Sequence, residues 1–154
     1  MSDAHDDAAV SALAVQIDEW LQQLQTSNPA VEAVDRSDDD PLRWYVRLRG
    51  EEKDHITVWL MLGQRTLRYE AYVMPAPEEN IAAVYEVALR RNEKLVGAHF
   101  AIGVEDAVFL RGELPNAALD EAELDRVIGS LYAYVELAFP TLIRIGYASR
   151  FRSG

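Results

Sequence analysis

Apolar residues recur from Ala8 onward at Val10, Leu13, Ile17, Trp20 and Leu24. Steps of three and four place them on one stripe of a helix. Asp6 or Asp7 is placed to cap its start, and Asn28-Pro29 to end it, because the residue before a proline is pushed out of the helical region. The period then changes. Residues 30–35 read as a short strand and RSDDDP as a loop. Arg43, Tyr45, Arg47 and Arg49 alternate with Trp44, Val46 and Leu48, a period-two strand with one wet face. After a turn at 50–53, HITVWLML (55–62) is apolar on both faces, the pattern of a central or doubly covered strand. Gly63-Gln64 turns the chain into another strand over 66–74. Turns this short predict an antiparallel meander.

The stretch EAYVMPAPEENIAAVYEVALRRN (70–92) joins that meander to a helix. Pro75 ends the strand ladder because it has no N–H to donate. Pro77 suits a first helical position, and Glu78 and Glu79 suit the first turn beside the positive end of the helix dipole. Ile81, Val84, Tyr85, Ala88 and Leu89 form the expected buried stripe, with Arg90 and Arg91 at the C-terminal end. The reading is a strand-to-helix corner and not a catalytic site. A hairpin follows (99–104 and 107–114, turning at Glu105-Asp106), then a loop at 115–119. Asp120 and Glu123 have capping-box spacing. The helix they open carries Leu124, Val127, Ile128, Leu131, Val135 and Ala138 inward, and Pro140 is expected to kink or break it. Leu142, Ile143 and Ile145 continue as a second helical piece, ahead of a basic tail with Arg144, Arg150 and Arg152. The order α-β-β-β-β-α-β-β-α gives an α+β fold, an antiparallel sheet with helices packed on one face. Residues 1–7 read as a disordered acidic N-terminus and 8–150 as a single domain.

Composition narrows the function. Among 154 residues there is no cysteine, so disulfides, thiolate metal sites and cysteine nucleophiles are excluded. The acidic start is no secretory signal and no apolar run spans a bilayer, so a cytoplasmic location without membrane contact is expected. A net charge of −11 disfavours nucleic acid and anionic lipid, both of which reward cationic surfaces.

Candidate chemistry is sparse. His5, His55 and His99 are scattered, and the ion site conceivable at Asp3-Ala-His5-Asp6-Asp7 reads better as a solvated tail. Asp38-Asp39-Asp40 lacks the spacing, glycine and distal Glu of a calcium loop. Ser130 has no nucleophile elbow around it, and no glycine-rich phosphate loop occurs. No catalytic, metal or cofactor residue is assigned. An enzyme reading would require convergent carboxylates in a deep pocket. Glu70, near Arg68, reads as half of a cross-strand ion pair on a wet face. What remains is a surface: Arg43, Tyr45, Arg47 and Arg49 from one strand, with Arg68, Glu70 and Tyr72 lining the same face from a later one. Arginine with aromatics is the composition of interaction sites, set against a merely solvated sheet face. Trp59 and Met61 lie on the second face of their strand, where a dimer interface or a helix would cover them.

Three segments carry a resemblance: Tyr72–Asn80, the Arg90-Arg91-Asn92 helix end and Leu119–Val127. With the strands from Trp44 they resemble the YbjN family of bacterial sensory transduction regulators over roughly residues 42–147. The resemblance implies a fold like that of type III secretion chaperones and no defined catalytic centre. Together these readings predict a non-enzymatic protein-interaction module, a chaperone-like adaptor or regulator with a protein or peptide partner, acting as a homodimer. The alternative is a small-ligand or nucleotide sensor that uses the arginine face.

Overall fold

The computed structural model describes residues 6–151. Residues 1–5, and with them His5, most of the acidic tail and the Asp3–His5 ion site, lie outside the described residues, as does Arg152. The elements are α1 (Asp7–Ser27), β1 (Val31–Arg36), β2 (Arg43–Arg49), β3 (His55–Leu62), β4 (Thr66–Met74), α2 (Ile81–Asn92), β5 (His99–Ile102), β6 (Val108–Pro115) and α3 (Glu121–Gly146). The loop expected at 115–119 contains a 3-10 turn at Asn116–Ala118. All six strands form one antiparallel sheet in the order β1-β2-β3-β4-β6-β5. Strands β2, β3 and β4 are the predicted meander, and β1 pairs onto its β2 edge. The later hairpin adds through β6, leaving the four-residue β5 on the edge.

The three helices cover one face. Trp44, Val46, Leu48, Ile56, Val58 and Leu60 are buried there beneath the α1 stripe and the six predicted α3 residues. Asp18 fixes α1 to the sheet: its carboxylate accepts from Trp44 Nε1 at 2.7 Å and from Arg36 at 2.9 Å. In α1 the buried positions include Ala14 and Leu21, while Trp20 sits beside the stripe and is only partly covered. Asp6 caps α1 by accepting from Ala9 N–H at 2.7 Å, and Asp120 caps α3 by accepting from Glu123 N–H at 2.8 Å. Each such cap contributes about 1 kcal/mol.

Two local expectations fail for tertiary reasons. Pro140 neither ends α3 nor divides it. The helix is not broken there: the cost of the missing N–H is offset by burial on both sides, at Ala138 and Leu142. The segment before α2 is not a helical first turn either, because Asn80, at φ 50°, precedes a helix that starts at Ile81. Residues 76–80 instead receive the end of α3. The N–H groups of Glu78 and Glu79 donate to the Gly146 carbonyl at 3.0 and 2.9 Å, and Asn80 Nδ2 donates to Ile145 O at 3.0 Å. Tyr147 Oη donates to Ala76 O, Glu79 accepts from Ser149, and Glu78 pairs with Arg150. Carbonyls that a helix C-terminus leaves without partners are thereby satisfied.

Both sheet edges meet an amide side chain. Asn92, ending α2, accepts from Phe100 N–H at 2.6 Å and donates to Phe100 O at 3.5 Å. Gln25 of α1 donates to the carbonyl of Glu32, the bulged residue of β1.

The β5–β6 hairpin turns through two consecutive left-handed residues, Glu105 (φ 57°) and Asp106 (φ 58°). This backbone favours Asn-Gly. Replacing the pair by Asn-Gly is expected to raise stability by about 1 kcal/mol. A higher urea midpoint at unchanged slope checks it.

Candidate functional site

The face opposite the helices is left open by the architecture, and strand register decides what meets there. One row across it reads Tyr45, Trp59, Glu70, Arg111 and His99; the next reads Arg43, Met61, Arg68 and Glu113. The seven residues predicted to share a surface therefore do point to one side. They form two groups, on β2 and β4, separated by β3. Trp59 and Met61 bridge the gap and are partly buried, on the face away from the helices. Of the two readings of this strand, central or doubly covered, the first holds: β3 lies inside the sheet, with helices on one face only.

The aromatic residues on this face pack edge-on. Tyr45 and Trp59 lie 6.2 Å apart at 79°, and Tyr72 and Phe109 lie 5.6 Å apart at 82°, a favoured geometry for ring quadrupoles. Glu70 is half of a cross-strand ion pair, but with Arg111 at 2.9 Å; Arg68 faces Glu113 at 3.7 Å. The Arg111 guanidinium also lies 4.9 Å above the Phe109 ring. Arg111, Glu113, His99 and Phe109 belong to the face yet escape sequence reasoning. The alternation of Leu110, Arg111 and Glu113 is a visible signal, but nothing local says that β6 pairs with β4. A trough of about 680 Å³ opens beside these groups, lined by Met61, Arg68, Glu70, His99, Arg111 and Glu113 among others.

Arg43, Arg47 and Arg49 are different. No carboxylate among the described residues lies within ion-pair reach of any of them. The Arg43 Nε is buried and has no hydrogen-bond partner. At the end of the face Lys53 lies 5.2 Å over the Tyr72 ring and donates to His55 O at 2.8 Å. Burial pushes its ammonium below the usual lysine range, against the pull of Asp54 and Glu136. Burial, followed by Tyr147 and Glu105, pushes the Tyr72 phenol up.

A second surface is apolar. Of the stripe expected to be buried on α2, only Val84 and Ala88 are; Ile81 and Leu89 are 48% and 66% exposed. Leu89 lines a groove of about 260 Å³ with Tyr85, Ala88, Phe100, Ala101 and Ile102. Ile102 is itself 52% exposed. Among the described residues no group of three or more His, Asp or Glu is placed to hold a metal ion, and no helix is long and apolar enough to cross a membrane.

These elements define an α+β fold shared with type III secretion chaperones. The chain superposes on a chain of the ExsC–ExsE complex with a TM-score of 0.62 at 16% identity, covering 84% of this chain and 96% of that one. It also superposes on a chain from the complex of the Yersinia pestis type III secretion chaperone SycH with a YscM2 fragment, at a TM-score of 0.51 and 17% identity, covering 79% and 95%. The protein belongs to the YbjN family, described as "Putative bacterial sensory transduction regulator", whose model matches residues 13–144. Similar sequences include an uncharacterized protein of Mycobacterium tuberculosis, 36% identical over 68% of this chain and 57% of that protein. Another, from Mycobacterium leprae, is 33% identical over 72% and 60%. The matched region thus spans under two thirds of these curated relatives.

Proposed function

We propose that the protein is a non-enzymatic interaction module, a chaperone-like adaptor or regulator that holds a protein or peptide segment on the open sheet face and works as a homodimer. The observation that carries this reading is the one-sided architecture: three helices on one face leave the other as a platform of arginine and edge-packed aromatic side chains, the composition enriched at interfaces. Family membership and the protein-bound complexes of its fold neighbours support it. The α2–β5 groove takes the second copy. Exposed Glu86 and Arg90, paired with each other at 3.4 Å, flank Leu89 on α2, so an antiparallel approach of two such helices lets each acid exchange to the other copy's arginine.

Capture from the protein's own cells tests the reading in two arms. Reversing Arg43, Arg47 and Arg49 to Glu should lose the partner and keep the dimer. Leu89→Glu should halve the mass seen by light scattering. A partner retained after the reversal moves the site to the helices, and the absence of any partner overturns the proposal.

A further inference from the structure

Resting on the interaction reading above, we infer that the partner segment is acidic and extended, and that it docks along β2 with carboxylates on Arg43 and Arg47 and an aromatic or apolar residue on the Tyr45–Trp59 pair. Charge placement is the first reason. The molecule carries a net −11, so acids to neutralise an exposed arginine are abundant. The open face uses them: Glu70 is spent on Arg111 and Glu113 on Arg68. Asp35 stands directly across from Tyr45 in the register, between Arg43 and Arg47, yet pairs with neither arginine. Three guanidinium groups on one seven-residue strand are thus left unmatched within an acidic protein.

The Arg43 Nε is the second reason. It is a buried donor without an acceptor, a condition folded proteins rarely leave standing and one that ends when the side chain swings outward to a partner's carboxylate. Geometry is the third. Side chains two apart on a strand repeat every 7 Å or so, so Arg43, Tyr45 and Arg47 present cation, ring, cation at the interval of alternate residues in a second extended chain. Arginine matches a carboxylate through two parallel N–H bonds. The Tyr45–Trp59 pair supplies apolar area between the two charges. Nucleic acid shares the need for arginine, but its phosphates follow one another without a break and would run onto Asp35, Glu70 and Glu113, whereas a peptide can carry its carboxylates only where Arg43 and Arg47 stand.

The test uses the full chain and a fluorescein-labelled peptide in which Glu-Asp-Trp-Glu is repeated, read by anisotropy. A peptide with Lys in place of every acid and a short oligothymidylate serve as comparisons. The acidic peptide should bind, weaken at high salt, and lose affinity at least about tenfold with Arg43→Gln/Arg47→Gln, while Arg144→Gln, which removes an exposed arginine from α3, leaves binding unchanged. Thermal melts of each variant confirm folding; were the double variant unfolded, Arg47→Gln alone should still weaken the peptide several-fold. Equal binding of the lysine peptide, tighter binding of the oligothymidylate, or binding that survives the arginine replacements overturns the inference. Should the peptide not bind while the cellular partner is still lost on charge reversal, the acidic chemistry is wrong and the interaction module stands.

Discussion

Replacing Gly112 by alanine is expected to cost about 2–3 kcal/mol, and by valine more, because a β-carbon there has no room. It would strike the Gly97 carbonyl oxygen and come within 2.5 Å of the Tyr69 ring. Gly112 sits opposite Tyr69 in the β4–β6 pairing, and the tyrosine lies across it to donate its hydroxyl proton to Gly97 O. Gly97 is itself in the left-handed region at φ 78°. Neither the backbone carbonyl nor the buried ring yields cheaply, so β6 must separate from β4. Gly129, exposed in the middle of α3, gives the opposite result. A β-carbon there would meet nothing within 4 Å, and alanine should stabilise by about 0.5–1 kcal/mol. Thermal melts of the two variants decide the matter. Gly112→Ala should fall by roughly 4–12 °C and Gly129→Ala should rise. Equal shifts would show that the Tyr69–Gly97 contact does not constrain the sheet.

The second large effect lies at Glu136. Its carboxylate accepts from the backbone N–H groups of Glu51, Glu52 and Lys53 at 2.8, 2.9 and 3.2 Å, clamping the β2–β3 turn to α3. Gly50 lies so close to Glu136 Oε1 that a β-carbon would fall within 2.5 Å of it. Removing the acceptor with Glu136→Ala leaves three donors to find water in a crowded turn. The expected loss is about 2 kcal/mol, since hydrogen bonds to a charged acceptor are the stronger kind and solvent recovers part of each. Glu136→Gln keeps one oxygen and should fall between. Hydrogen exchange gives the local readout: amides 51–53 should lose protection in Glu136→Ala, ahead of the β3 core.

How far such positions can be read from sequence depends on the range of the interaction. The α3 stripe is legible because a helix face is set by residues three and four apart, and all six predicted positions are buried. Strands β2 to β4 are legible because short turns force neighbours to pair. The insertion of β6 beside β4 is not, since α2 intervenes and nothing local selects the edge. Glu78 and Glu79 illustrate the same limit. Their acidity fits a helix start, so local reasoning assigns them one, whereas their N–H groups serve the Gly146 carbonyl far along the chain. Ile81 and Leu89 show the converse. They have helical spacing, but the described residues leave them largely exposed, and periodicity alone does not separate a core face from a contact face. Within the candidate surface, alternation finds Arg43 through Arg49, but not that Glu70 belongs to Arg111.

The amides of Asn92 and Gln25 have a consequence for assembly. A sheet with bare rims is a template on which further copies stack without limit. Here the outward groups of Phe100 and the bulged Glu32 are occupied from within the same molecule. At Phe100 and at the Glu32 carbonyl an incoming strand finds the pairing groups already taken, so ribbon growth is opposed at one point on each edge.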